Sequence, residues 1–155
     1  MSAKYFLDTN IFVYSFDQNS PQKNKRSQVL IAEALYTGEG LISTQVIQEF
    51  LNVAMRKFAI PLTPNDGKVY LQKVLAPLCQ VFPDKVLYET ALDILKNTGY
   101  SFYDSLILAG AQRGGASVLY SEDFQSGQQV GGIEIINPFI WRDYRTSHKK
   151  VLIPK

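Results

Sequence analysis

Short apolar runs alternating with longer stretches of helical period constrain this chain more than any other feature it has. The alternation predicts an α/β fold, a three-layer α/β/α sandwich around a mainly parallel sheet, because short strands separated by helices are joined by helical crossovers. Residues 4–7 form a short apolar run that ends at the polar Asp8-Thr9-Asn10. A helix is expected over residues 22–36, where Val29, Leu30, Ala32 and Leu35 recur at turn spacing and Gly38-Glu39-Gly40 stops the pattern. Residues 41–43 read as a second strand, and Thr44 as the cap of a helix running to about Phe58. After the break around Pro61 and Pro64, the pattern predicts a helix over 65–75, a strand over 80–82 and a helix over 84–97 stopped by Gly99. Ser101 opens a further helix that ends at Gly114-Gly115; residues 116–120 are a strand, 122–132 a loop and 133–136 a last strand. No repeat, low-complexity segment or linker interrupts this order, so residues 1–155 read as one domain.

The residue inventory then narrows the chemistry. At 155 residues, with 46% hydrophobic and 19% charged, the chain can bury a core without a disulfide or a structural metal. Cys79 is the sole cysteine, which excludes an internal disulfide and a cysteine-rich zinc site. His148 is the sole histidine and lies near the C-terminus, so Ser-His-Asp and Cys-His arrangements are not expected. Any catalysis falls to carboxylates.

Sixteen Lys and Arg against fourteen Asp and Glu give a formal charge of +2, too balanced to announce a nucleic-acid partner by itself. Its distribution says more. Residues 142–155 carry Arg142, Arg145, Lys149, Lys150 and Lys155 against Asp143 alone, a basic tail of net +4, which leaves the rest of the chain at −2. Trp141 and Tyr144 interleave rings with this charge, as single-strand binders do, although a solvated terminus has the same composition. No apolar run approaches the roughly 18 residues of a membrane span. The first eight residues reach a carboxylate too soon for a signal peptide, and with one unpaired thiol a reducing cytoplasm is the expected compartment.

Ligands of open α/β sheets bind beyond the carboxyl ends of the strands, so acids that follow apolar runs are the first candidates. Asp8 follows Tyr5-Phe6-Leu7, and Ser121-Glu122-Asp123 follows Val118-Leu119-Tyr120; both sites should open on one edge of the sheet. Asp8 taken alone is equally a turn or helix-cap residue. Asp104 lies three, four and seven positions before Ile107, Leu108 and Ala111, in line with the core-facing stripe of its helix. Ser101 and Asp104 also have N-cap and N3 spacing, the spacing of a capping box. Glu49 flanks the apolar line Ile47, Phe50, Leu51, Ala54 and Phe58, where a solvated glutamate is also at home. Glu122 could share the work of Asp123 or face solvent. The remaining acids, among them Glu33, Asp84 and Glu89, fit helix faces or first turns.

If Asp8, Glu49, Asp104 and Asp123 converge, their repulsion requires a cation or protons: two carboxylates about 4 Å apart repel by roughly 4 kcal/mol at an effective dielectric near 20. Hard divalent ions with oxygen ligands, Mg2+ or Mn2+, are the natural partners. Such a centre can hold a phosphodiester and activate water without any histidine.

With these residues in view, the chain resembles the PIN-domain ribonucleases, and among them the VapC-type toxins of toxin–antitoxin pairs. The resemblance rests on Phe6-Leu7-Asp8-Thr9-Asn10, on Gln45-Val46-Ile47-Gln48-Glu49-Phe50, on Tyr103-Asp104-Ser105-Leu106-Ile107-Leu108-Ala109, and on Leu119-Tyr120-Ser121-Glu122-Asp123-Phe124 with Gly127-Gln128 after it. It implies an endoribonuclease that cleaves RNA with Mg2+ or Mn2+, using Asp8, Glu49, Asp104 and Asp123 as its catalytic and metal-binding acids. Asp8 and Asp104 would be the firmest ligands, with Asp123 and Glu49 looser or acting through water. Thr9, Asn10 and Ser121 would orient a ligand or phosphate, or serve as cap and turn residues. An antitoxin partner and a homodimer are implied in the same way. Two other readings remain open: a non-catalytic RNA- or partner-binding PIN module, and a haloacid-dehalogenase-like phosphatase. The phosphatases place a second Asp two positions after the nucleophile, where this chain has Asn10.

Overall fold

The computed structural model describes residues 3–140. The basic tail over 142–155 and His148 lie outside the described residues. Every residue of β1 (Tyr5–Leu7) and of β2 (Gly40–Ser43) is buried, so both faces of these strands are covered. This is the physical signature of the three-layer α/β/α arrangement that the alternating pattern predicts. The six-stranded sheet has the order β3-β2-β1-β4-β6-β5, with β3 spanning Cys79–Val81, β4 Val118–Tyr120, β5 Gln129–Val130 and β6 Ile133–Ile136. All pairings are parallel except β5 with β6.

The helices between the strands are α1 (Thr9–Tyr14), α2 (Pro21–Thr37), α3 (Thr44–Arg56), α4 (Pro64–Tyr70), α5 (Ala76–Leu78), α6 (Lys85–Thr98) and α7 (Phe102–Arg113). Gly38 and Gly99 end α2 and α6 in the left-handed region, at φ 73° and 80°, as their places in the sequence predict. Thr63 and Asp66 make a reciprocal capping box at α4. A single π-helical turn, Leu71–Leu75, joins α4 to α5, so the helix expected over 65–75 runs on to Leu78 in modified form.

Four local features of the fold differ from the expected pattern. α1 was not expected, because the strand passes into it with no intervening breaker. Ser43, not Thr44, is the N-cap residue of α3, and no side-chain bond caps that end. Asp84 stands just before α6 and caps it by accepting from Leu87 N–H. The expected loop over 122–132 contains β5, a two-residue strand pinned antiparallel to β6 across the Gly131-Gly132 turn. Phe6, Leu7, Phe12, Phe50, Leu108, Leu119 and Tyr120 anchor the core between sheet and helices. Among the described residues no helix is long and apolar enough to cross a membrane.

Candidate active site

The strand order reverses direction between β1 and β4: β1 leads on to β2 on one side, and β4 to β6 on the other. Chains leaving the carboxyl ends of two such strands diverge, and the crevice between them is where open α/β sheets bind ligands. Asp8 leaves β1 and Ser121 leaves β4 at this point, and the Asp8 N–H donates to Tyr120 O at 3.1 Å.

Asp8 is the N-cap residue of α1, with an extended backbone and a side chain that accepts from Thr9 N–H at 2.7 Å. Successive residues of a helical turn point about 100° apart, so the residues that follow reach different neighbours. Asp8 Oδ2 accepts from the Ser121 hydroxyl at 2.6 Å. Thr9 donates its hydroxyl to Glu49 Oε2 at 3.4 Å. Asn10 donates through Nδ2 to Ser121 Oγ at 3.2 Å and to Asp123 Oδ2 at 3.0 Å. Ser121 Oγ accepts in addition from Asp123 N–H at 3.1 Å, so its one proton and both lone pairs are used.

A second link joins α3 to α7. Gln45 is buried and donates both amide protons, to Glu49 Oε1 at 2.7 Å and to Tyr103 O at 3.0 Å, one residue before Asp104. The buried stripe of α3 is Val46, Phe50 and Ala54 with Gln45 beside it, one register step from the line expected around Ile47 and Leu51. This rotation carries Glu49 inward to half-burial. Ser101 Oγ accepts the Asp104 N–H at 3.1 Å, so Asp104 takes part in the N-terminal cap of α7 through its backbone.

The electrostatics follow from this placement. Burial pushes the Asp8 carboxyl up to about 7, against the opposing hydrogen bonds from Ser121 and Thr9, and the charges of Asp123 and Glu49 add to the rise. Burial also raises Glu49, opposed by its bonds from Gln45 and Thr9, with Asp104 and Asp123 adding to the shift. Asp104 is raised by burial first, with Ser101 opposing and Asp123 adding. The charge of Asp123 thus acts on Asp8, Glu49 and Asp104, and Glu49 stands between the other two, although the four come from separate parts of the chain.

Glu122 is placed differently. Its carboxylate pairs with Lys23 of α2 at 2.5 Å. Sequence reasoning missed both Lys23 and Gln45. Gln45 precedes Glu49 by one helical turn, and that spacing was a usable signal. Lys23 and Glu122 are 99 positions apart, and no local pattern connects them. Asn10, standing where a phosphatase of the haloacid-dehalogenase type has its second acid, commits its amide to Ser121 and Asp123.

Residues 5–126 match the family model of the PIN domain. The chain belongs to the PIN-domain family. The matched span of this PIN domain contains all four acids. Among solved structures, a toxin–antitoxin complex from Klebsiella pneumoniae aligns with a TM-score of 0.64 and 15% identity, over 87% of this chain and 98% of that one. DNA-bound VapBC from Salmonella typhimurium aligns at 0.58 with 19% identity, over 86% and 97%. Mycobacterium tuberculosis VapC20, a sarcin-ricin loop cleaving toxin, aligns at 0.55 with 16% identity, over 77% and 90%. At these identities the likeness establishes the fold. No curated protein matches the sequence significantly.

Whether the PIN domain's acids suit a divalent ion is a question of donor chemistry. Among the described residues no three of His, Cys, Asp or Glu stand close enough together to enclose an ion. The donors available are nonetheless all carboxylate oxygens, the ligand type of Mg2+ and Mn2+, and desolvation leaves Asp8 in want of positive charge. By donor chemistry the carboxylates suit a hard divalent cation.

Proposed function

We propose that this PIN domain is a metal-dependent endoribonuclease that cleaves single-stranded or structured RNA as the toxin of a toxin–antitoxin pair. The observation that carries this reading is the hydrogen-bonded chain that ties Asp8 and Asp123 at the switch point to Glu49 through Thr9, and Glu49 through Gln45 to the residue before Asp104. Carboxylates that raise one another's affinity for protons are a liability for stability and an advantage where cations bind. Asp8 and Asp104 would hold Mg2+ or Mn2+ most firmly, with Asp123 and Glu49 acting more loosely or through water. When bound, the ion supplies charge neutralisation at a phosphodiester and a water of lowered pKa.

The chain's own residues supply orientation. Ser121 fixes the Asp8 carboxylate by donating to one of its oxygens, and Asn10 steers Asp123. Glu49, raised by burial and braced by Gln45, would orient a water or ion beside the other acids. An antitoxin would cover the acidic crevice in the resting complex, a partner supported by the alignment with a toxin–antitoxin complex. A homodimer in the cytoplasm belongs to the same proposal.

The test is cleavage of a single-stranded RNA with Mg2+ or Mn2+ by the wild type, Asp8→Ala and Asp104→Ala, with circular dichroism as the control for folding. Loss of cleavage in both folded variants is expected. Full activity in both overturns the assignment, and RNA binding without cleavage at any metal concentration would favour the non-catalytic module.

A further inference from the structure

Glu122 lies between Ser121 and Asp123, yet its side chain is tied into a different group of residues. Lys23 Nζ meets Glu122 Oε1 at 2.5 Å and donates to Tyr14 Oη at 3.4 Å. The same ammonium lies 4.7 Å from the centre of the Tyr14 ring and 5.6 Å from that of Phe139, and these two rings meet edge to face at 5.1 Å. Each of these partners belongs to a different piece of structure. Tyr14 ends α1, which Asp8 caps and whose first turn carries Asn10; Glu122 belongs to the turn after β4; Phe139 follows β6. Nearby, Arg26 donates to Pro138 O at 2.9 Å, and Asn24 donates to Tyr14 O and Ser15 O at 3.1 and 3.0 Å. The start of α2 is therefore bolted to α1 and to the segment after the last strand.

The turn itself has an electrostatic problem. Asp123 is exposed and lies in the field of Asp8, Glu49 and Asp104, all of the same sign. Like charge on Asp8 and Asp123 opposes the close approach of the 121–123 turn to the start of α1. On the α1 side it is held by hydrogen bonds, from Ser121 Oγ to Asp8 at 2.6 Å, from Asn10 Nδ2 to Asp123 and from Glu122 N–H to Asn10 Oδ1 at 3.4 Å. The Lys23 ammonium adds the one ionic restraint described for this turn, applied through the residue beside Asp123. It is backed by two ring faces, which makes it stiffer than a lone surface ion pair.

We infer that Lys23 is a positioning residue: through Glu122 it holds the Ser121-Glu122-Asp123 turn against α1, and so keeps Asp123 within reach of a divalent ion shared with Asp8. This rests on the metal-dependent reading above. It assigns Glu122 to the support of the site rather than to its ligands.

Two measurements on the full chain test it. Calorimetric titration with Mn2+ should show affinity weakened about tenfold in Lys23→Met and in Glu122→Gln, the size typical of lost outer support. The double variant should be no weaker than either single one, and Lys23→Arg should recover most of the affinity. Hydrogen exchange in the metal-free protein should become faster at residues 121–124 in Lys23→Met, with α2 amides beyond Arg26 unchanged. A purely structural salt bridge would lower the melting temperature and move neither quantity. Unchanged Mn2+ affinity together with unchanged exchange at 121–124 overturns the inference. Absence of Mn2+ uptake by the wild type overturns the nuclease reading and the metal part of this one, while the exchange measurement still decides whether Lys23 holds the turn.

Discussion

Asp8 shows how far burial governs this site. Its side chain is 5% exposed and its carboxyl is pushed up to about 7, whereas in the unfolded chain it ionises near the ordinary value of 3.8. Between those two values the folded chain holds a proton that the unfolded chain has released. Stability of the metal-free protein should therefore fall as pH rises from about 4 to about 7, by roughly 4 kcal/mol at most for a shift of this size. Asp8→Asn removes that penalty: without metal, the variant should unfold at higher urea than the wild type at pH 8, and the two should converge near pH 4. Equal midpoints at pH 8 would show that Asp8 is not desolvated. At this scale much of the site was legible. Asp104 was marked by its three, four and seven spacing to Ile107, Leu108 and Ala111, all of which are buried. For Glu49, Phe50 and Ala54 of the expected apolar line are buried, while Ile47 and Leu51 are only partly so and Val46 goes deeper, which turns the helix toward the candidate glutamate. Lys23 was invisible, since a pair spanning 99 positions leaves no local trace.

Among elements, the link between α3 and α7 depends on one buried amide. Gln45→Leu keeps most of the volume while removing the donors to Glu49 and Tyr103 O. We expect a loss of about 1–3 kcal/mol in urea unfolding, from acceptors left without their partner, and an upward shift in the Glu49 titration by NMR. A change within a few tenths of a kcal/mol would mean that water replaces the amide fully. The contact of α2 with β2 is equally tight. A Cβ on Gly40 would lie 2.3 Å from Ala34 Cβ and 2.9 Å from the Tyr5 ring, so Gly40→Ala should cost about 1–3 kcal/mol in the same assay. Stability equal to wild type would contradict the close packing. The long amphipathic helices and fully buried strands were readable because each spends its whole length on one repeated environment. α1 and β5 were not: six residues and two residues are too few to show a period, and β5 exists only because β6 lies opposite it.

On the scale of the molecule, the placement of the acids follows from chain topology more than from any single motif. Parallel strands all point their carboxyl ends to one edge, which made a shared site for Asp8 and Asp123 foreseeable before any contact was known. The convergence of Glu49 and Asp104 depends on how α3 and α7 pack, and sequence pattern gives only the faces they present. The basic tail lies outside the described residues, and its part in RNA binding is a prediction from charge alone. Truncation after Asp143 removes four basic residues, so it should weaken RNA affinity at low salt and flatten the dependence of log affinity on log salt. Unchanged affinity at low salt would remove the tail from the binding surface.

The most direct measurement is a crystal structure of the protein soaked in Mn2+, with the ion located by its anomalous scattering. The expected result is a peak at the β1/β4 switch point with oxygens of Asp8 and Asp104 at roughly 2 Å. Saturating Mn2+ with no peak between these two carboxylates would contradict the metal-dependent site on which the nuclease assignment stands.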